Sequence, residues 1–388
     1  MSEAVVGVQP AILKWARESL GLSIEDVALS LKRETQEVTA WESGAAAPTY
    51  PQLEDLAYRL YKRPLATFFL PRPPTEPNLK KEFRTLPDFE LDRLAADTRY
   101  QLRLAYAFQI SLKELNEGVN PAPRKIFRDL PLEFSADIKQ SAQRVREYLG
   151  ISLDVQIGWK SDEDALKAWR NAIEEAGLFV FKHSFKQKDV SGFCLVDEQF
   201  PVIYLNNSTS KTRQVFSLLH ELTHVLMHVN AISITDESYI DFLPSAQKRV
   251  ERFCNAVAAE MLIPSDDFKM RLRGENEITH ALIARLARRY HVSREAVLRR
   301  LLDARLVDRQ YYQQAVEQWK QEVEGSGKPG GDYYATQASY LGEHYLRLVF
   351  GKHYQGRLSL EQVADYLGVR TKSVAGLESL MLKKTVVA

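Results

Sequence analysis

Cysteine is nearly absent: Cys194 and Cys254 are the only two among 388 residues. That excludes a disulfide framework, and both lie in apolar segments that read as a strand and a helix, as buried reduced thiols do. No run approaches about eighteen apolar residues, and the N-terminus lacks a charged-then-apolar signal pattern, so a cytoplasmic chain without a membrane span is expected. Charge of one sign is lacking too. With 52 Lys and Arg against 51 Asp and Glu, the net charge of +1 excludes a globally basic nucleic-acid binder and leaves only local basic surfaces. Histidine is scarce, eight in all, so a spaced pair carries information. What is abundant is core material: 45% hydrophobic residues over this length can fill two or three domains.

The spaced pair is His220-Glu221-Leu222-Thr223-His224, an H-E-x-x-H pattern that composition alone would produce in roughly one such chain in a hundred. Val215, Leu218, Leu219, Leu222, Val225, Leu226 and Val229 recur at helical spacing and form a core-facing stripe. Ser217, His220, Glu221, His224 and His228 fall in an arc of about 100° on the other side, which is expected to face a cleft. Two imidazoles four residues apart can reach one divalent metal, with Glu221 beside it to act on bound water.

A catalytic zinc takes three protein ligands and keeps a fourth position open. His228 lies about 12 Å along the helix axis from His220, too far to close on the same ion, and fits the cleft wall better. Asp236 and Glu237 sit in a polar stretch, Ser233 to Ser238, that reads as a surface loop. The best candidate is Glu251. Val250, Phe253, Cys254, Val257, Ala258 and Met261 make a second apolar stripe closed by Pro264, and Glu251 and Asn255 flank it one turn apart. Glu251 would reach the metal while Asn255 orients a ligand imidazole. Glu260, nine residues on and about 180° round the helix, should take a solvated or capping role instead.

The stretch Lys211 to His224, followed by Glu251-Arg252-Phe253-Cys254-Asn255-Ala256-Val257-Ala258-Ala259-Glu260-Met261-Leu262-Ile263-Pro264, resembles the ImmA/IrrE family of metallopeptidases. Ser191-Gly192-Phe193 and Pro201 to Asn207 look like that family's strands, and the likeness runs over roughly residues 160 to 310. It implies Zn2+ on His220, His224 and Glu251, with Glu221 as general base. Thr223 departs from the family, which often has glycine there.

The first 75 residues read as short helices, Pro10 to Leu20, Ser23 to Leu31, Glu34 to Glu42 and Pro51 to Leu60, with Ser23 and Asp26 as an N-cap pair. Trp41-Glu42-Ser43-Gly44-Ala45-Ala46-Ala47-Pro48-Thr49 resembles the XRE, or Cro/repressor, class of helix-turn-helix domains. The resemblance makes Glu34 to Trp41 the recognition helix, with Thr35, Gln36 and Thr39 facing bases or phosphates. Eight basic residues against nine acidic ones in residues 1–75 predict weak DNA binding by this part alone.

The expected organisation is a helix-turn-helix domain at 1–75, a helical spacer at 76–160, a zincin-like peptidase core at 161–310 and a helical module at 330–388. A glycine-rich linker, residues 325–331, precedes the last. The class is α+β, a mostly helical chain with a small sheet. Strands are expected near 178–182, 190–196 and 201–206, and the one ending at Asn206-Asn207, or its neighbour, would be the edge that pairs with extended substrate. Within the core, residues 278–305 form a second helix-turn-helix-like element whose stretch from His280 to Arg305 holds seven arginines against Glu295 and Asp303. It is either a nucleic-acid or repressor-docking surface or a solvated face. The expected function is a zinc-dependent endopeptidase acting on a specific protein, such as a helix-turn-helix repressor. The alternative is a DNA-binding regulator whose metal site is sensory or structural. Tyr204, His228 and Tyr239 are candidates for stabilising the oxyanion.

Overall fold

The computed structural model describes residues 3–83, 88–234, 237–323 and 332–387. The chain divides into two compact units, Met1–Leu104 with Phe185–Gln187, and Ala105–Ser184 with Lys188–Ala388. The division falls within one long helix, Ala96–Leu115.

The first unit contains α1 (Pro10–Ser19), α2 (Ile24–Leu31), α3 (Thr35–Ser43) and α4 (Tyr50–Glu54), the last running on into a π-helical turn, Asp55–Leu60. Asp26 N donates to Ser23 Oγ at 3.0 Å and Ser23 N to Asp26 Oδ2 at 2.8 Å, the reciprocal cap that fixes where α2 begins. Lys32, in the left-handed region at φ 56°, makes the turn into α3. Ile12, Ala16, Val27, Val38, Trp41 and Leu53 bury one core between these helices. Arg17 clamps α1 to α3 by donating to both carboxylate oxygens of Glu42, at 2.7 and 2.9 Å. On α3, Gln36 and Thr39 are exposed and Thr35 is half-buried.

The second unit holds the sheet: β1 (Phe179–His183), β2 (Val190–Leu195), β3 (Val202–Asn206) and β4 (Ala231–Ile234). Their order is β1-β3-β2-β4, with β1 parallel to β3 and the other pairings antiparallel. The strand ending at Asn206 is therefore central, so of the two alternatives for an edge it is not one and its sheet neighbour β1 is; the edges are β1 and β4. At Gly192 a Cβ would lie 2.9 Å from Tyr204 O, so the close pairing of β2 with β3 requires glycine there. The neighbouring β2–β4 register shifts between Val190 and Gly192.

Helices cover this sheet. In chain order we number α5 (Ile138–Leu149), α6 (Asp162–Glu175), α7 (Lys211–Leu226), α8 (Ser245–Leu262), α9 (Ser265–Leu272), α10 (His280–Tyr290), α11 (Arg294–Asp303) and α12 (Tyr333–Leu341). The apolar stripe of α7 meets the sheet and α6, and α8 packs on α7 and α5. Trp169, Val180, Ile203, Leu218, Leu222, Val257 and Met261 belong to this single core. At the β1 edge, α12 packs alongside, with Arg170 Nη1 donating to Ser339 O at 2.7 Å. The result is the expected α+β architecture, mostly helical with one small sheet. No helix among the described residues is long and apolar enough to cross a membrane.

One expectation changes. His228 does not continue α7, which ends at Leu226; His228 is exposed with φ 56° while Val229 N donates back to His224 O at 3.1 Å, closing the helix. Most arginines of α10 and α11 have a partner within the fold. Arg289 pairs with Asp267 at 3.2 Å and Arg300 with Glu260 at 2.5 Å. Arg285 pairs with Glu275, Arg299 with Asp303, and the Arg294 guanidinium lies 4.7 Å from the Trp319 ring centre. The linker at 325–331 and Asp236 lie outside the described residues.

Candidate metal centre

Helix α7 begins where Ser210 Oγ accepts from Arg213 N at 3.2 Å, and its polar side is as buried as its apolar one. His220 is 4% exposed, Glu221 and His224 0%, and Glu251 1%. What was expected to be a cleft face is sandwiched between α8 and the β4 edge, because short elements close over it.

The structure brings His220, His224 and Glu251 together. The two Nε2 atoms are 3.0 Å apart. Glu251 Oε2 lies 3.5 Å from the first and Glu251 Oε1 lies 3.4 Å from the second. One donor atom from each residue lies within 4.8 Å of the others, a group that could hold a metal ion. Ligands about 2.0 to 2.1 Å from a tetrahedral zinc stand roughly 3.3 Å from one another, so the spacing fits. No fourth His, Cys, Asp or Glu joins this group among the described residues. That leaves a coordination position for something other than protein.

Electrostatics accord with a cation here. Burial raises the Glu251 carboxyl, but the facing His224 and His220 outweigh it and hold it well below the usual carboxylate range. Tyr239 OH donates to Glu251 Oε2 at 3.1 Å. Burial pushes Glu221 up to about 7, opposed by His220, by the Ser233 hydrogen bond and by the nearby Cys194 thiol. Ser233 Oγ donates to Glu221 Oε1, while Glu221 Oε2 is buried with no hydrogen-bond partner. Cys194 and Cys254 are free, buried thiols, raised by burial and then by nearby carboxylates.

The other candidates separate from this cluster. Asn255 lines the narrow cavity beside His220, together with Ser191, Arg213, Phe216 and Ser217. It bonds to neither imidazole: Nδ1 of His220 and Nδ1 of His224 both lack a hydrogen-bond partner, so the orienting contact expected of Asn255 is not formed. Tyr204 lies in the sheet, stacked on Phe193 at 5.0 Å, and His228 is on the surface. Glu260 caps α9, accepting from Ser265 N and Oγ at 2.8 Å each.

Sequence reasoning missed β4 and with it Ser233, the partner of Glu221. The available signal was the alternation Ile232-Ser233-Ile234, masked by the polar residues that follow. It also had no means of choosing Tyr239 over Tyr204, since only the fold brings the residues at 239 and 251 together.

Residues 173–302 match the family model of the IrrE N-terminal-like domain, Peptidase_M78. No curated protein matches the chain. The matched region spans the four strands, α7, α8 and the whole His-His-Glu cluster, and supports a metallopeptidase-like function for it. It does not extend to the N-terminal helical unit.

Proposed function

We propose that the region matched by this family model is a zinc-dependent endopeptidase with Glu221 as its acid–base group. The observation that carries this reading is a buried group of three protein donors without a fourth among the described residues, beside a carboxylate that is not one of them. His220, His224 and Glu251 would hold the ion, with Tyr239 fixing one carboxylate oxygen of Glu251. When bound, zinc would supply a Lewis acid that polarises a carbonyl and lowers the pKa of water. Glu221 would take a proton at Oε2, its oxygen without a hydrogen-bond partner, while Ser233 holds Oε1. It would then deliver that proton to the departing amine. An extended substrate would pair with β4, the sheet edge beside α7.

The helical unit at the N-terminus would direct this activity to gene control. Exposed Gln36 and Thr39, with Thr35 at the start of α3, would meet DNA, and a repressor of the helix-turn-helix class would be the substrate. The chain would then work in the cytoplasm. Glu221→Gln should keep about one zinc per chain and lose cleavage of a co-expressed repressor; cleavage that persists in that variant sinks the assignment.

A second reading is favoured by one observation. The cavity beside His220 measures about 10 Å³, room for about one water and not for a peptide. On that reading the metal is sensory or structural and the chain is a DNA-binding regulator. Specific operator binding that changes with zinc, with no cleaved partner, would select it.

A further inference from the structure

A larger cavity, of about 640 Å³, lies at the other end of the Glu251 helix, within the size range of about 300 to 1,000 Å³ usual for small-molecule sites. Ala142, Ile151, Leu153 and Pro264 give it an apolar wall. Arg146 also lines it and is only 8% exposed. Its Nη1 donates to Gln156 Oε1 at 2.6 Å and to Met261 O at 2.5 Å, and its Nη2 is buried with no partner.

The carboxylates of the same wall are engaged elsewhere. Glu260 is held by Arg300, Asp266 by Lys139 at 2.6 Å, Asp267 by Arg289 and by Tyr290 at 2.7 Å, and Glu147 accepts from Gln143 at 2.8 Å. Lys139 is likewise paired. Arg146 is thus the one cation of this wall without an anionic partner among the described residues; its guanidinium carbon lies 5.5 Å from the Trp169 ring centre. Buried cations are ordinarily paired, because desolvation makes an isolated one costly. A guanidinium's planar fork takes a carboxylate or a phosphate through two parallel N–H···O bonds, and the apolar wall favours the anion that carries an organic body.

We propose that this cavity binds a small organic carboxylate, its anionic head on Arg146 and its apolar body against Ala142, Ile151, Leu153 and Pro264. The occupant would touch the side chain that holds Met261 O, in the last turn of the helix that carries Glu251. Binding is independent of peptide cleavage, so this site and the peptidase reading can fail separately.

The test is calorimetric titration of the full chain with hexanoate and with benzoate, each beside its own primary amide. At least one acid should bind saturably and roughly tenfold or more tighter than its amide, the discrimination expected of a charge-assisted contact. Arg146→Met should erase that preference. Because this change also removes bonds to Gln156 and Met261, Leu153→Trp provides a second variant, filling the cavity from its rim with the Arg146 bonds intact. It should abolish binding of both acids. Equal affinity for acid and amide, binding that survives Leu153→Trp, or no saturable binding of either acid at millimolar concentration overturns the proposal.

Discussion

The metal centre and the α10–α11 pair are both crowded with ionisable side chains, yet they treat them in opposite ways. Around His220 and His224 the buried polar atoms are left over: both Nδ1 atoms, Glu221 Oε2 and Ser217 Oγ lack hydrogen-bond partners. In α10 and α11 the arginines are largely satisfied, by Asp267, Glu260, Glu275, Asp303 or the Trp319 ring. Buried polar groups normally find partners, and exceptions gather where a ligand or reaction completes them. A tally of charge along the sequence therefore does not by itself locate the His-His-Glu cluster. What marks a site is the unmet valence of its groups, which only the folded chain displays.

This contrast can be broken most directly at the metal centre. Stripping metal from protein held at about a thousandfold excess over Kd should cost about 4 kcal/mol of stability, measured by denaturant unfolding with and without chelator. No change would mean that the unmet groups await something other than a metal. At the satisfied pair, Glu260→Ala leaves Arg300 half-buried without its carboxylate and uncaps α9, and should cost about 3 kcal/mol in the same assay. A loss below about 1 kcal/mol would show that this pair is ornament.

A smaller effect tests a buried charge outside both regions. Lys182 on β1 is 4% exposed, and burial, followed by the charges of Arg170 and Lys211, lowers it from 10.5 to about 7. Its folded pKa is below its unfolded one, so the unfolded chain binds more protons between the two values and stability rises with pH across that window. Lys182→Met should therefore gain about 1 to 2 kcal/mol near pH 7, the advantage shrinking as pH approaches 10.5. A gain that does not depend on pH would assign the effect to packing. The smallest change is expected from Arg288→Ala, at an exposed position whose guanidinium reaches only the carbonyl of Ala284. It should move stability by less than about 0.5 kcal/mol and leave retention on heparin unaltered; a clear loss of retention would favour a nucleic-acid role for this face.

Local patterns carried much of the fold. The stripes of α7 and α8, the Ser23 cap and three of four strands were legible because each depends on neighbours within one or two turns. The coming together of Glu251 with His220 and His224 was legible as well, since two amphipathic helices with those residues off their apolar stripes have few ways to pack. Strand order was not, because β3 sits between β1 and β2 through pairings that no local pattern encodes. Nor was the depth of the site. Periodicity separates an apolar from a polar side of α7, but both sides are covered, and the covering comes from β4 and from Tyr239. His228 misled because its spacing is helical while its backbone is left-handed.

Gly192 gives this sheet a point of intolerance. Every other residue type brings a Cβ into Tyr204 O at that spot, so replacement must prise β2 from β3. Since β2 also carries β4, the displacement would reach Ser233 and loosen its hold on Glu221 without touching a single polar group of the centre. A lesion there would be transmitted along hydrogen-bonded backbone to Glu221, damage at a distance produced by one added methyl group.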